Sequence, residues 1–344
     1  MNTTQSDYSS PGSFRPKIFN LKAVILFVVV SSFAIFLFVR LDISLSETLN
    51  VIRGIDISLY ILALFIHYLT FFFRGIRWRL LLINVAHGQR VDFIPPSLKY
   101  STSMMLMSWF ATSVTIFRMG DVFRAYAYAR DTNSSFSGSA GTVFADRVVD
   151  FIAVLILMVS ALLLFFLEGK GQVKLEFGSI GIALLSVGIA SFIVMFLVLV
   201  SMQLIRQRLI RLLPEKFQSS YLRFHIGAIG SFRNLHLVFT FGILAWVCEV
   251  STWFLIIQAL DAHVSLGLIL LVPPVNALQA VLALTPGSLG VLEVATTALL
   301  HLQIPIEIAL AAVLVDRTLM IASMVTGGIL LATKQIKVSK SYSR

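Results

Sequence analysis

A pair of adjacent, oppositely charged residues occurs twice in long apolar runs, where it could bind an anion or hold helices together. The pairs are Asp146-Arg147 and Asp316-Arg317. Five residues recur 170 positions later without a gap: Thr115, Gly120, Val143, Asp146 and Arg147 are matched by Thr285, Gly290, Val313, Asp316 and Arg317. A charged pair at membrane depth is costly and indicates a functional site. Its repetition indicates a duplicated unit of the kind that many transporters contain.

The charges of each pair need partners. Neighbouring residues on a helix point about 100° apart, so Asp146 and Arg147 cannot pair well with each other. An unpaired charge in hydrocarbon costs several kcal/mol. We therefore predict that Asp146 pairs with Arg317 and that Asp316 pairs with Arg147, which makes both aspartates structural ion-pair residues. The alternative is that each charge is satisfied by a neighbouring span, such as the one that carries Glu249.

The stretch before each charged pair predicts a site for phosphate. Residues 285–293 indicate a helix start, with capping hydroxyls and a proline suited to the first turn. Helix N-termini bind anions, and the guanidinium group of arginine matches phosphate. The predicted substrate-binding residues are Arg118, Gly120, Arg124, Arg147, Pro286, Gly287, Ser288, Gly290, Glu293 and Arg317. Close helix packing stays an alternative for the two repeated glycines, and surface anchoring stays one for Arg118 and Arg124.

Other polar groups have less specific roles. Asp150 and Glu249 lie in apolar runs and are predicted to be either proton-relay groups or structural partners. Trp78 and Tyr128 are predicted to anchor the chain at the membrane interface. Cys248 is the single cysteine and the six histidines are scattered, so we expect no metal site and no cofactor.

Composition places the chain in a membrane. Hydrophobic residues make up 58% of it and charged residues 13%, whereas soluble domains carry about 25% charged residues. We predict an all-α polytopic membrane protein of about 6–8 transmembrane helices, with two re-entrant or broken segments and an inverted repeat. The net charge of +10 is explained by basic cytoplasmic loops rather than by nucleic-acid binding.

The predicted segments follow from the apolar runs. The predicted spans are Ala23–Val39, Ile57–Phe73, Ala140–Leu167, Ile180–Ile205, Leu237–Leu260 and Ile306–Ala332. Residues 94–117 are hydroxyl-rich and follow a pair of prolines, and residues 266–284 contain another pair, so both are predicted to be broken. Residues 206–235 are basic and are predicted to lie on the membrane surface. The domains are a disordered cytoplasmic tail (1–20), one transmembrane domain (21–335) and a basic cytoplasmic tail (336–344).

Loop charges predict the orientation. Basic segments lie at 74–90, 118–130 and 206–233 and in both tails, so the positive-inside rule puts both termini in the cytoplasm. The predicted location of this multi-pass protein is the cell (cytoplasmic or inner) membrane. The two repeats, roughly 57–167 and 237–333, are then inverted relative to each other. The first broken segment enters from the cytoplasm, and the second enters from the exterior.

Residues 20–335 resemble the transmembrane domain of lysylphosphatidylglycerol synthases and the stand-alone flippase-like proteins of that superfamily. The resemblance rests on Gly120, Asp121, Arg124, Asp146, Arg147, Pro286, Gly287, Gly290, Glu293 and Arg317. The chain departs from the family at Ile116 and Phe117, where Pro and Gly are common, and at Ser288, where Gly is common. The resemblance implies a lipid-translocating domain. In the synthases an aminoacyl-transferase domain follows this region. This sequence ends at Arg344, so lysyl transfer is not expected of it.

The predicted function is translocation of an anionic phospholipid, a polyprenyl phosphate or a glycolipid between leaflets, without catalysis. Three alternatives stay open: a membrane-embedded transferase, a scaffold subunit for a lipid-modifying or glycosyltransferase partner, and an ion-coupled transporter of a small solute. The predicted partners are membrane lipids with a phosphate headgroup and not nucleic acid. A homo-oligomer and a complex with a lipid-modifying enzyme are both compatible with the sequence.

Overall fold

The computed structural model describes residues 44–88, 94–115, 119–168, 213–282 and 290–342, and residues 186–211 in short helical pieces. The predicted tail 1–20, the predicted span Ala23–Val39 and much of the predicted span Ile180–Ile205 lie outside the described residues. Within the described part the ordered elements are helices. The ten with continuous bounds are α1 (Leu45–Arg53), α2 (Ile57–Gly88), α3 (Leu98–Val114), α4 (Gly120–Thr132), α5 (Phe136–Glu168), α6 (Glu215–Gly230), α7 (Leu235–Ala259), α8 (Leu266–Leu282), α9 (Val291–Leu300) and α10 (Ile306–Tyr342).

Four of these helices, α2, α5, α7 and α10, are long and apolar enough to cross a membrane. The shortest has 25 residues, or about 38 Å, which exceeds the roughly 30 Å of a bilayer core. The polytopic all-α prediction is therefore confirmed. The predicted end of the second span at Phe73 is wrong, because the apolar pattern resumes at Leu80 and α2 continues to Gly88.

The first broken segment is a hairpin of two short antiparallel helices, α3 and α4. Ser108 donates a hydrogen bond to the Gly120 carbonyl (2.9 Å), and Tyr100 donates one to Asp131 (2.7 Å). The prediction placed both halves of the hairpin within residues 94–117. Instead α3 occupies most of that range, and α4 forms the returning half.

The second broken segment is a matching hairpin of α8 and α9. Thr296 donates to Asn276 (2.6 Å), and the Ser265 amide donates to Gln303 (2.8 Å). The prediction that the proline pair breaks this segment is wrong, since Pro273 and Pro274 lie inside α8. Instead α8 continues to Leu282, and the returning helix begins at Val291.

The helices repeat in order, with α1–α5 corresponding to α6–α10. Three of the five counterparts begin within one residue of an offset of 170: α1 at 45 and α6 at 215, α4 at 120 and α9 at 291, α5 at 136 and α10 at 306. The packing repeats as well. The first hairpin packs against α10 and the second against α5, while α1 packs against α10 and α6 against α5. The last long helix of each copy, α5 or α10, therefore packs against elements of the other copy.

The two copies run in opposite directions. The Asp56 amide donates to the Ala259 carbonyl (2.9 Å), and Asn84 donates to the Ser231 carbonyl (2.8 Å). These contacts place α2 antiparallel to its counterpart α7, so the predicted inverted repeat is confirmed. Which ends of the helices face the cytoplasm stays a prediction.

A row of hydrogen bonds, the hydroxyl seam, joins α2 of the first copy to α10 of the second. Its pairs are Tyr60 with Thr318 (2.9 Å), His67 with Ser323 (3.2 Å) and Tyr68 with Thr326 (2.8 Å). The rising numbers on both sides show that these two helices are parallel. The seam supplies partners for the polar atoms of α2, whereas the hydroxyls of α10 also donate to carbonyls of their own helix.

The segment predicted to lie on the membrane surface includes α6, which packs tightly against α5. A Cβ atom on Gly227 would come within 2.0 Å of the Gly138 carbonyl oxygen. His225 and Ala228 are buried in the same contact, whereas Phe217 is exposed. One face of α6 is thus part of the helix bundle.

Candidate functional site

Six alternating charges close a ring, the charge ring, between α2, α4 and α5. Three arginines and three aspartates contribute, so the ring has no net charge. Its contacts are Arg124–Asp146 (2.9 Å), Asp146–Arg77 (2.7 Å), Arg77–Asp150 (2.7 Å), Asp150–Arg147 (3.0 Å), Arg147–Asp121 (2.9 Å) and Asp121–Arg124 (3.3 Å). Each carboxylate lies between two guanidinium groups, which lowers the cost of placing these charges among apolar helices.

One side of the charge ring is sealed from solvent. The side chains of Arg77 and Arg124 have no exposed surface, and that of Asp146 is 1% exposed. Trp246 donates to Asp150 (3.3 Å), and the Arg124 guanidinium lies 5.0 Å from the Trp78 ring. This side fixes α2, α4 and α5 relative to one another.

The prediction that Trp78 and Tyr128 are interfacial anchors does not fit the structure. Both side chains are fully buried, and their rings pack edge to face at 5.7 Å. Sequence analysis placed Trp78 beyond the end of a span, whereas α2 carries it into the protein interior.

The other side of the charge ring is open. The side chain of Arg147 is 44% exposed and that of Asp121 is 36% exposed. Arg147 holds Asp121 with a two-pronged contact, Nε to Oδ2 (2.9 Å) and Nη2 to Oδ1 (3.0 Å). A phosphate group can accept the same two hydrogen bonds, so it can take the place of Asp121.

The second copy contains a simpler version of this contact. Arg317 binds Glu293 (2.7 Å), and Glu293 also accepts a hydrogen bond from the Gly290 amide (2.7 Å) at the start of α9. Gly290 has a φ of 88°, which glycine adopts without strain. In both copies the repeated arginine therefore pairs with an acid in the first turn of the hairpin's second helix, Asp121 in α4 and Glu293 in α9.

Both arginines lie near the middle of their spans. The apolar spans of α5 and α10 are Phe136–Leu164 and Ile306–Lys334, with midpoints at residues 150 and 320. Arg147 and Arg317 each precede the midpoint by three residues, or about 5 Å. Because the copies are inverted, the two guanidinium groups fall on opposite sides of the middle. Asp121 and Glu293, which bind them, lie in the first turns of α4 and α9, so the second helix of each hairpin begins at the depth of its arginine.

The predicted pairing across the pseudo-two-fold axis is wrong. Asp146 pairs with Arg77 and Arg124, while Arg147 and Arg317 bind acids of their own hairpins. Neighbouring spans thus satisfy these charges, as the alternative proposed. Asp316 is buried, and its Oδ2 atom has no hydrogen-bond partner among the described residues. Its predicted role in a structural ion pair does not fit this geometry.

The two predicted proton-relay acids both have cationic partners. Asp150 lies between Arg77 and Arg147. Glu249 binds Arg74 (3.1 Å), and both side chains are partly exposed. Between the two roles that the sequence allowed, these contacts favour structural partnership, above all for Asp150.

Two of the remaining predicted substrate residues have packing roles. A Cβ atom on Gly120 would lie 2.0 Å from Thr112 Oγ1 and 2.2 Å from the Ser108 carbonyl oxygen, so this glycine permits the hairpin to close. The guanidinium of Arg124 is buried and occupied by ring carboxylates, which excludes direct substrate contact in this conformation. Arg118, Pro286, Gly287 and Ser288 lie outside the described residues.

The ion pairs of Arg74 and Arg77 were not predicted, because the predicted second span ended at Phe73. The signal was present. The two arginines are three residues apart, on one face of a helix whose apolar pattern resumes at Leu80. A basic pair between two apolar runs of one helix predicts acidic partners on adjacent spans.

Comparison with known proteins identifies relatives along most of the chain. The family model described as the lysylphosphatidylglycerol synthase TM region matches residues 24–328. A UPF0104 membrane protein of Methanocaldococcus jannaschii is 29% identical over 197 residues, covering 56% of this chain and 80% of that protein. A UPF0104 membrane protein of Pyrococcus horikoshii is 23% identical over 334 residues, covering 86% of this chain and 93% of the relative.

A third relative is larger. The glycosyltransferase AglD of Haloferax volcanii is 24% identical over 351 residues, which cover 92% of this chain and 55% of AglD. The chain thus spans about half the length of AglD. The family match, the four apolar spans and the paired hairpins agree with one another. The chain is a membrane protein that belongs to the family of the lysylphosphatidylglycerol synthase transmembrane region.

Proposed function

We propose that the protein translocates an anionic lipid with a phosphate headgroup between membrane leaflets. The observation that supports this most is Arg147, whose side chain is 44% exposed although the residue lies about 5 Å from the middle of an apolar span. A guanidinium at this depth would offer a passing phosphate a charge-assisted hydrogen-bond partner in place of the water it loses.

The two hairpins form the proposed path. Under this proposal they re-enter the bilayer from opposite faces. The second helix of each hairpin begins beside a mid-span arginine. The headgroup first replaces Asp121 on Arg147 and then replaces Glu293 on Arg317. These acids keep the arginines paired while no headgroup is bound, so the empty path does not contain isolated charges.

Large apolar side chains on the long helices are positioned to contact lipid. Ile61 and Phe65 of α2, Leu163 of α5 and Ile329 of α10 are each more than half exposed. Such side chains suit the acyl or prenyl chains of a lipid whose headgroup moves along the polar path. This function places the protein in the cell membrane, with both termini in the cytoplasm as the loop charges predict.

Leaflet exchange in reconstituted liposomes tests the proposal. Fluorescent phosphatidylglycerol and a fluorescent polyprenyl phosphate are the probes, and an impermeant quencher reports the fraction in the outer leaflet. A hydrogen bond to a charged group contributes about 1.5–3 kcal/mol, so Arg147→Ala and Arg317→Ala should each slow exchange about 10- to 100-fold.

The matched control is Arg130→Ala. Arg130 is an exposed arginine near the end of α4, and it contacts only its neighbour Asp131 among the ion pairs of the described residues. Exchange by this variant should equal that of the native protein. Native-like exchange by both Arg147→Ala and Arg317→Ala would remove these residues from the mechanism.

The similarity to AglD favours one second candidate, a membrane subunit that serves a glycosyltransferase. The support is the coverage, since 92% of this chain aligns with about half of a protein named as a glycosyltransferase. Under this proposal the chain presents a lipid-linked substrate to a catalytic partner. Lipid exchange by the purified chain alone would favour translocation, and glycosyl transfer that requires both proteins would favour the subunit role.

A further inference from the structure

We propose that Asp316 is a proton-binding site and that its protonation couples lipid movement to a proton gradient. The coupling rests on the proposed translocase function, whereas the proton site itself rests on the geometry of the second copy. No relay through Asp150 or Glu249 is required, because both already have cationic partners.

The two repeated aspartates differ in their surroundings. Asp146 accepts hydrogen bonds from Arg77 and Arg124. The positions of the second copy that correspond to Arg77 and Arg124, 170 residues later, hold Val247 and Val294. Asp316 is 3% exposed, and its Oδ2 atom has no hydrogen-bond partner in the described part of the chain. A carboxyl group in such a place is more stable with its proton than without it.

The charged groups around Asp316 reinforce this preference. Glu249 of α7 and Glu293 of α9 oppose a further negative charge on it, whereas Arg317 of its own helix favours the ionised form. Arg317 is already bound to Glu293, and Arg74 of α2 is bound to Glu249. The titratable side chains of α2 that face α10 are Tyr60, His67 and Tyr68, which are bonded to Thr318, Ser323 and Thr326. The charged residues of the other helices packed on α10, which are Glu47, Arg53 and Lys99, form no ion pair with these groups among the described residues.

Charge counting shows how a proton would favour an anionic headgroup. The pairs Arg317–Glu293 and Arg74–Glu249 are each neutral, so ionised Asp316 leaves the cluster at −1 and protonated Asp316 leaves it at 0. An anionic headgroup on Arg317 is repelled in the first state and accepted in the second. Proton and headgroup therefore bind together, and a singly charged lipid crosses with one proton as a neutral unit.

Infrared difference spectroscopy tests the proton site without any transport. The purified protein in liposomes is titrated, and the carbonyl band of a protonated carboxylic acid is followed. Asp316→Asn should remove one such component of the native spectrum. Asp261→Asn, the same change at an exposed aspartate, should leave it in place. Asp316→Glu should shift the band and preserve it, which separates loss of the proton site from misfolding. A native-like band in Asp316→Asn would overturn the proton site.

A pH gradient tests the coupling. With one proton per lipid, a gradient of one pH unit should shift the steady-state ratio of the probe lipid between leaflets about tenfold in native liposomes. Asp316→Asn should give the same ratio with and without the gradient. A native ratio that ignores the gradient while lipid still exchanges would overturn the coupling and leave the translocase function intact. Absence of exchange at any pH would instead overturn the translocase function, and the infrared result would still decide the proton site.

Discussion

The first copy pairs its aspartate Asp146 with two arginines, whereas the second copy has valines at the positions equivalent to those arginines. Both copies retain the contact between a mid-span arginine and an acid at the start of a hairpin helix. The five other ring contacts have no counterpart among the described residues of the second copy. The shared contact indicates the common task of the two halves. The unshared contacts indicate that the first half is held more firmly around its arginine, while the second half contains the aspartate that we propose as a proton site.

The largest expected effect comes from breaking the sealed side of the charge ring. Arg77→Met leaves Asp146 without one of its partners and Asp150 with a single remaining arginine, so the free energy of unfolding should fall by about 3–5 kcal/mol. Thermal unfolding in detergent measures this. Arg74→Met in the same helix removes the partner of Glu249, whose side chain is partly exposed rather than sealed, so it should cost less than Arg77→Met.

Equal losses for the two arginine variants would contradict the distinction between a rigid first half and an adaptable second half. A double variant, Arg77→Met with Asp146→Asn, sharpens the test. Removing both members of a buried pair avoids an uncompensated charge, so this double variant should recover part of the loss of Arg77→Met.

The next effect distinguishes the two repeated glycines. Gly120→Ala places a methyl group 2.0 Å from Thr112 Oγ1, and such overpacking costs about 1–3 kcal/mol. Gly290→Ala places alanine at a φ of 88° and a ψ of −51°, a backbone conformation that costs about 1–3 kcal/mol. Unfolding should be easier for both variants, and more so for Gly120→Ala, because its methyl group would also lie 2.2 Å from the Ser108 carbonyl oxygen, which belongs to the backbone and cannot rotate away. The reverse order would mean that the hairpin of α3 and α4 can open to admit the methyl group.

The smallest effect concerns a contact that the second copy lacks. Asp131 at the end of α4 binds Lys334 and Tyr100, and the equivalent of Asp131 is His301. Burial alone would raise the pKa of Asp131, but the hydrogen bonds from Lys334 and Tyr100 hold that pKa below its usual value. Asp131→Asn should lower the free energy of unfolding by less than about 1 kcal/mol at neutral pH.

The pH dependence of this contact follows from the direction of the shift. Because the pKa is lower in the folded protein, the stabilisation is complete above the unfolded pKa of about 3.9 and is lost as pH falls through the folded value. The difference between Asp131→Asn and the native protein should therefore disappear under acid conditions. A difference that persists there would show that the packing of α3 against α4, and not the charge, holds this end of the hairpin.

The sequence predicted the helices better than it predicted which charged side chains pair with one another. The apolar runs around Asp146 and Asp316 predicted α5 and α10, because a run of that length among few charges suits a bilayer. The glycine-to-aspartate spacing predicted the repeat, since counterpart helices keep their register. The inversion followed from loop charges, which depend on sidedness and not on packing.

The partners were not predictable in the same way. Which arginine meets Asp146 depends on the rotation of α2 and on where α2 ends, and the predicted end at Phe73 excluded Arg77. The extents of the hairpins were also missed, because the hydroxyl-rich run 94–117 was predicted to hold both halves of the first hairpin and the proline pair suggested a break in the second. In the structure Pro273 and Pro274 lie inside a helix, where neighbouring segments can satisfy the freed backbone groups.

The hydroxyl seam has a consequence for movement between the two halves. Its three pairs join α2 to α10, and each is a neutral hydrogen bond of about 1 kcal/mol that water or a neighbouring hydroxyl can replace. The charge ring, by contrast, cannot separate without stranding ions in an apolar interior. We expect the two halves to move relative to each other along the hydroxyl seam, where hydrogen bonds can be exchanged one by one. The charge ring should move as one rigid unit.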